Sequence, residues 1–467
     1  MPDAVIDVDV SRVLRKVEPR TIGININYLV DHDENRPAGA RPLEDALREM
    51  GVRSLRFPGG DKSDNHLWSV PPFDRPRPAL ACGPREGREQ VLQTPAGDWT
   101  VRRMDFDEFM VLCRRLGAEP TVVVCYDALY HPRCEVSKQR LIETAAAWVE
   151  YANVKRGYGV KYWEIGNEAY IEENITAAEY ARDVVEFARA MKEVDPSILI
   201  GANGPDAAQG RRRHAKEGEP PWWQVMFETA GEHIDVAVVH IYPCYEWGSY
   251  EAYRARLPEV ARQANAPLEA ARRWGPADLA DRLRVTVTEH NAADWSKGGW
   301  PFVNDIGHAL VTFDIVGTLL EQERVDMAQL WNTRWVSHPP DARSLWDAVD
   351  DMNRLQPSGE VLATWSRYVK ERMISVSDAP QVRSFASHTP SPPALSIFLI
   401  SRSAAHQEVE VNLRGYQGPR SGTARTWRGE GPQDQDPVWS DPTEVRAAGD
   451  ALALTLPPDS LTVVELA

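Results

Sequence analysis

Only five of the 467 residues are cysteine, Cys82, Cys113, Cys125, Cys134 and Cys244, and none is spaced as C-x-x-C. An odd, scattered set of this kind builds neither a disulfide framework nor a structural zinc site, so all five read as reduced thiols. Long hydrophobic runs are missing as well. No apolar stretch approaches the roughly 20 residues that a bilayer span requires. The opening Met1-Pro2-Asp3-Ala4-Val5-Ile6-Asp7 has no basic segment followed by an apolar one, as a signal peptide would. These absences point to a cytoplasmic chain without membrane contact. Positive charge is in deficit: 53 Lys and Arg face 69 Asp and Glu, for a net charge of −16. A phosphate backbone rewards the opposite balance, which excludes nucleic acid as the expected partner. The eleven histidines form no H-E-x-x-H and no clustered ligand set, and no G-x-G-x-x-G follows the first strand candidate, so neither metal nor cofactor is expected.

What is present is a globular composition, 43% hydrophobic, with 16 tryptophans. The length suits one barrel of ordinary size plus a smaller domain. Through residues 21–373, β-branched apolar runs alternate with helical patterns. The strand candidates are Thr21–Leu29, Gly51–Pro58, Pro120–Tyr126, Lys161–Glu168, Ile198–Ala202, Asp235–Tyr242, Arg284–His290 and Met327–Trp335. Between them, Asp105–Leu116, Arg140–Asn153, Ala177–Val194, Trp222–Ala230 and Val303–Glu323 place apolar residues three and four apart. Eight strands alternating with helices predict an α/β fold, a (β/α)8 barrel. The Pro-, Gly- and Arg-rich segment 60–104 follows the second strand and is expected to wall a cleft on the barrel's C-terminal face, with 204–221 and 292–301 as shorter loops beside it.

After about residue 374 the pattern changes to short strands between Pro, Gly and Asp turns, among them Ser396–Ser401, Gly422–Trp427 and Leu461–Leu466. This predicts an additional C-terminal antiparallel β-sandwich domain. Ala4–Val10 alternates in the same way, so residues 1–20 are expected to add a strand to that sandwich, with the barrel at 21–373 and the sandwich at 374–467.

Two motifs carry chemistry. Tyr162-Trp163-Glu164-Ile165-Gly166-Asn167-Glu168 closes the fourth strand, and Val285-Thr286-Val287-Thr288-Glu289-His290-Asn291 closes the seventh. Alone, either reads as a capping pair or a surface loop. Strands four and seven stand three places apart on an eight-strand ring, so carboxylates at their ends can converge over the mouth. A retaining glycosidase needs such a pair, about 5–5.5 Å apart, one as acid/base and one as nucleophile. The residues named for those roles are Glu168 and Glu289. Strict strand alternation would send Asn167 and Glu168 to opposite faces, so the chain must turn there.

The Trp-Glu-Ile-Gly-Asn-Glu run resembles the acid/base motif of the clan A retaining glycoside hydrolases. More narrowly, Arg56-Phe57-Pro58-Gly59-Gly60 and the stretch from Asp107-Glu108-Phe109 to Glu119-Pro120 resemble the family 51 α-L-arabinofuranosidases. The resemblance spans residues 21–335 and implies a glycoside as substrate, with no cofactor. It further implies that Asn167 bonds the sugar 2-hydroxyl, that Tyr242 orients Glu289, that His240 contacts sugar or supports Glu168, and that Arg56 lies beneath Glu289. Three positions depart from the family's pattern. Asp61 stands where Asn is usual, Asn25-Ile26-Asn27-Tyr28 where a Glu holds the furanose, and His290 where Trp follows the nucleophile. Trp331 looks more like the sugar platform of other clan A families, which keeps β-xylosidase, β-glucuronidase and β-galactofuranosidase types beside the arabinofuranosidase.

Around these residues, Asp61, Lys62, Asp64 and Asn65 read as a polar subsite or a solvated loop, and Asn27 joins the expected sugar contacts. Trp331, Trp295 and Trp68 are expected to stack on sugar. Glu164 reads as a structural carboxylate paired with an arginine, and Cys125 as a small packed residue. A homo-oligomer is compatible with the sequence. Two competing functions remain: a barrel that binds carbohydrate without cleaving it, and a metal-dependent barrel hydrolase.

Overall fold

A computed structural model describes residues 2–132, 134–336 and 343–467. Eight parallel strands close into a barrel: Ile22–Asn25, Ser54–Phe57, Glu119–Val124, Tyr162–Ile165, Leu199–Asn203, Val236–Ile241, Arg284–His290 and Val325–Leu330, in that circular order. Their residues are almost all buried, because one face fills the barrel and the other lies under helices. That double burial is why they read as continuous apolar runs in the sequence.

Local chemistry starts and stops the helices that follow. Phe106–Leu116 opens on a reciprocal cap between Asp105 and Glu108, and Ala177–Val194 on the same device between Thr176 and Glu179. The helix Ile306–Glu321 is buried around nearly its whole circumference. It is sandwiched between the barrel and the second module, with Phe313 against Trp365 and Phe398. Arg383 of the second module pairs there with Asp314 at 2.9 Å. The sequence reading begins this helix three residues early and does not foresee Leu43–Met50, Val260–Trp274 or Pro357–Tyr368.

The second module is one ten-stranded sheet, mostly antiparallel, around its own apolar core. The N-terminal strand Ala4–Lys16 lies inside it, antiparallel to Arg372–Val376 and parallel to Gln407–Arg414. The first and last parts of the chain thus share one sheet. Segment 60–104 folds over the barrel mouth with a two-stranded ribbon, His66–Leu67 on Ala79–Leu80. The expectation of five reduced thiols is corrected here. Cys82 and Cys134 are bonded at 2.11 Å across 52 residues, joining segment 60–104 to the chain that follows the third barrel strand. Two loops meeting over the mouth bring the sulfurs together, a juxtaposition that linear spacing does not encode. Cys113, Cys125 and Cys244 are free and buried.

Candidate active site

The site is built on a buried cation. Arg56 comes from the second barrel strand and is fully enclosed. Its Nε and Nη2 donate to Glu164 at 2.9 and 2.8 Å, Nη1 donates to Glu289 at 2.9 Å and Asn25 at 3.2 Å, and Nη2 also reaches Asn167 at 2.8 Å. A guanidinium presents five N–H groups in a rigid fork, so one side chain fixes four others. Burial opposes its charge, but Glu164 and Glu289 outweigh burial and keep Arg56 protonated.

The fourth strand stops at Ile165 and the chain turns. Gly166 has φ 68°, and a Cβ there would meet Asp127 Oδ2 at 2.7 Å, so glycine is required. The Asn167 amide donates to Asp127 at 2.8 Å, and the Ala169 amide to Asn203 at 2.9 Å. Glu168 itself sits at φ 51°, a left-handed conformation that is costly for a residue with a Cβ and held here by its neighbours. The two positive φ values let Asn167 and Glu168 face the same cavity, against strict alternation.

On the seventh strand, the register with the sixth shifts between Val287 and Glu289, which sets Glu289 opposite His240. Tyr242, just beyond the sixth strand, donates its hydroxyl to Glu289 at 2.7 Å. His240 Nδ1 lies 2.8 Å from Glu168 and 3.6 Å from Glu289, and Nε2 lies 3.1 Å from the Thr288 hydroxyl. The three donor groups of Glu168, His240 and Glu289 fall within 4.8 Å of one another. Among the described residues this is the one grouping that could hold a metal ion.

Burial raises the Glu289 carboxyl above its ordinary range and Glu168 adds to the rise, while His240, Arg56 and Tyr242 pull the other way. Burial disfavours the charged imidazole of His240, but Glu289 and Glu168 prevail and its pKa is raised. Tyr242 is pushed well above the usual phenol range, by burial first and Glu289 second, so it remains a donor.

Both glutamates open into one cavity of about 590 Å³. Asn167, His240, Tyr242, Trp331, Asp61 and Trp295 line it with them, so most of the residues singled out in the sequence come together. Trp331 closes on Gly60, where a Cβ would lie 2.2 Å from the indole and 2.6 Å from Glu289. The Lys62 ammonium lies behind, 4.0 Å from the Trp331 ring, 4.2 Å from that of Trp335 and 3.5 Å from Asp61. Although burial works against its ionisation, Lys62 and Arg88 hold the Asp61 carboxyl below its usual range. Trp295 meets Tyr242 edge-on at 4.9 Å and stacks on Tyr245 at 4.9 Å.

Two expected sugar contacts are corrected. Asn27 is fully buried, its amide donating to the Arg334 carbonyl at 3.0 Å and its oxygen accepting from the Leu29 amide at 3.2 Å, so it braces a loop instead of lining the cavity. Trp68 is buried against Trp148, with its indole N–H donating to the Thr144 carbonyl. Glu164 pairs with an arginine as expected. Sequence reasoning missed Arg88, Tyr170, Asp206, Tyr245, Trp335 and Trp346, which also line the cavity from loops.

Residues 46–255 match the family model described as the α-L-arabinofuranosidase 1 domain. Over 250 residues the chain is 30% identical to α-L-arabinofuranosidase C of Emericella nidulans, covering 49% of this chain and 42% of that one. It is 24% identical over 435 residues to intracellular exo-α-(1→5)-L-arabinofuranosidase 1 of Bacillus subtilis, covering 84% and 81%. The matched stretch thus spans less than half the length of the fungal relative. The family 51 α-L-arabinofuranosidase structure from Thermotoga petrophila superposes with a TM-score of 0.74 at 18% identity, over 99% of each chain. A family 44 xyloglucanase from Paenibacillus polymyxa reaches 0.67 at 14% identity over 99% of each. The sequence resemblance is thus to α-L-arabinofuranosidases, and the fold is that of the family 51 structure, shared with enzymes named for other glycans.

Proposed function

We propose that the chain is a retaining glycoside hydrolase of the α-L-arabinofuranosidase type, with Glu168 as acid/base and Glu289 as nucleophile. The observation that carries this reading is the spacing of the two carboxylates, within 4.8 Å and open to one cavity. Retention needs about 5–5.5 Å, whereas inversion leaves about 6.5–9.5 Å for a water.

In the first step a Glu289 oxygen bonds to the anomeric carbon as the bond to the leaving oxygen breaks, and Glu168 gives its proton to that oxygen. In the second, Glu168 takes a proton from water, the water oxygen bonds to the same carbon, and the ester to Glu289 breaks. Asn167 contacts the 2-hydroxyl, Trp331 stacks on the sugar, and Trp295 with Asp61 bounds the pocket. Tyr242 and Arg56 hold Glu289. Every role is filled by a side chain of this chain, without a metal or cofactor.

The arabinofuranose assignment is supported by the matching family model and by the names of the relatives. A panel of aryl α-L-arabinofuranoside, β-D-xyloside, β-D-glucoside, β-D-galactofuranoside and β-D-glucuronide tests it, with NMR of the first-formed anomer. Fastest cleavage of the arabinofuranoside with retained configuration is expected. An inverted first product sinks the mechanism, a different preferred glycoside moves the substrate, and activity lost in chelator points to the metal-dependent alternative.

No helix among the described residues is long and apolar enough to cross a membrane. A cytoplasmic location is supported by the Bacillus relative's name. In that compartment Cys82 and Cys134 would be kept reduced, so alkylation of freshly lysed cells distinguishes it from an oxidising one.

A further inference from the structure

Between Ile165 and Ala169 the chain makes a turn with two positive φ values, 68° at Gly166 and 51° at Glu168. The left-handed region is unfavourable for glutamate, so such a turn persists only where its surroundings impose it. Two side chains from the flanking strands do so. On one side Asp127, just past the third barrel strand, accepts the Asn167 amide at 2.8 Å. The same carboxylate oxygen stands 2.7 Å from where a Cβ on Gly166 would lie. On the other side Asn203, the last residue of the fifth strand, accepts the Ala169 amide at 2.9 Å. Its own amide donates to the Ile165 carbonyl at 3.0 Å and the Tyr180 hydroxyl at 2.8 Å, so the whole side chain is engaged. The amides before and after Glu168 are each held by a side chain of a neighbouring strand.

The geometry points to Asp127 and Asn203 as positioning residues of the acid/base, a clamp closed on the Glu168 turn from both sides. The inference rests on the glycosidase reading above. Neither residue lines the cavity that holds the two glutamates, so each acts through the turn and not on the sugar. Both are buried, where an amide that loses its acceptor is left without water to replace it. Glu289 hangs from a separate set of partners, Arg56 and Tyr242. Releasing the clamp therefore displaces the acid before the nucleophile. Burial pushes the Asp127 carboxyl up to about 8, the Asn167 amide opposing the rise and Glu172 adding to it. Below that pH the turn is held by a neutral acceptor, which Asp127→Asn retains.

Leaving-group dependence separates this role from a merely structural one. Phenyl and 2,4-dinitrophenyl α-L-arabinofuranosides are the probes, because only the poor leaving group needs the proton from Glu168. Asp127→Ala should lower kcat/KM on the phenyl glycoside about 10- to 100-fold, the effect of displacing a catalytic group by about an ångström. On the dinitrophenyl glycoside the loss should stay under about threefold. Asp127→Asn should remain within about threefold of wild type on both. Asn203→Ala should repeat the Asp127→Ala pattern. Where either alanine variant does not fold, Gly166→Ala serves, since its Cβ would push the turn off Asp127. Equal losses on the two glycosides overturn the inference, as do an Asp127→Asn as impaired as Asp127→Ala and the absence of any loss. Should the chain cleave no glycoside, the functional reading fails on its own, and amide exchange then decides the clamp without turnover. The Asn167 amide should exchange at least about tenfold faster in Asp127→Ala than in Asp127→Asn. Equal exchange in the two, or unprotected Asn167 and Ala169 amides in the wild type, overturns it.

Discussion

A carboxylate oxygen of Glu168 lies within 4.8 Å of one on Glu289, and the imidazole of His240 reaches both. The two come from strands three places apart on the barrel, 121 positions apart in the chain. Their environments differ: Glu289 is held by Arg56 and Tyr242 at 2.9 and 2.7 Å, whereas Glu168 bonds His240 and is more open to solvent. That asymmetry fits the proposed roles of nucleophile and acid, since a fixed carboxylate suits attack and a freer one suits proton exchange with leaving group and water.

Glu289→Ala should reduce hydrolysis to background on every substrate. Glu168→Ala should cost about 10²–10⁴-fold on sugar leaving groups and far less on activated aryl ones, because only poor leaving groups need the proton. Steady-state kinetics across a leaving-group series checks both. A slope unchanged by Glu168→Ala removes the residue from the acid role.

Tyr242→Phe deletes the 2.7 Å hydrogen bond to Glu289 and little else. A hydrogen bond to a charged group contributes about 1.5–3 kcal/mol, so kcat should fall about 10- to 100-fold with KM nearly unchanged. A change confined to KM would mean that the hydroxyl binds sugar and does not orient the nucleophile.

The pH profile has a sign that His240 sets. Glu289 has a raised pKa and must be ionised to attack, so activity falls as pH drops through that value. The charged His240 lowers it, beside Arg56 and Tyr242, while Glu168 raises it. Removing the imidazole in His240→Asn should therefore move the acidic limb of kcat/KM to higher pH. Displacement to lower pH, with the protein folded, would contradict the arrangement.

The barrel was legible because its strands are buried on both faces and carry β-branched runs that alternate with helical patterns. That Glu168 and Glu289 meet over one cavity was legible for a related reason: each lies at or just past the end of such a run, on the face where a barrel displays its chemistry. Loop residues were not. Trp68 and Trp295 look alike in sequence, and only packing sends one against Trp148 and the other to the cavity. Asn27 follows a strand as a sugar ligand would, yet its amide is consumed by the Arg334 carbonyl. The helix Val260–Trp274 was hidden by Pro267 within it, which breaks the expected pattern.

Arg56→Met should be a stability mutant before it is a kinetic one. It strands Glu164 and Glu289 as buried carboxylates without their cation, which costs about 3–5 kcal/mol. Arg56→Lys should recover only part of this, since an ammonium cannot reproduce the fork shared by Glu164, Glu289 and Asn167. Urea unfolding of the three proteins gives the order. Equal midpoints for wild type and Arg56→Met would show that the carboxylates are protonated and need no partner.

The Cys82–Cys134 bond gives the last prediction. It closes a loop spanning 52 residues between segment 60–104 and the chain that follows the third barrel strand. Constraining a loop of that length in the unfolded chain stabilises the fold by at most about 4 kcal/mol. Reduction, or Cys134→Ser, should therefore lower the urea midpoint. In Cys134→Ser the midpoint should not respond further to reductant, because Cys113, Cys125 and Cys244 are buried free thiols. Because the strands of the barrel do not depend on the bond, Glu168 and Glu289 should stay together after reduction. The first effect should be looser packing of residues 82–88, read as faster amide exchange there than in the strands. Uniform exchange across both would mean that the bond holds the whole barrel, and an unchanged midpoint would mean that the two thiols are not joined in solution.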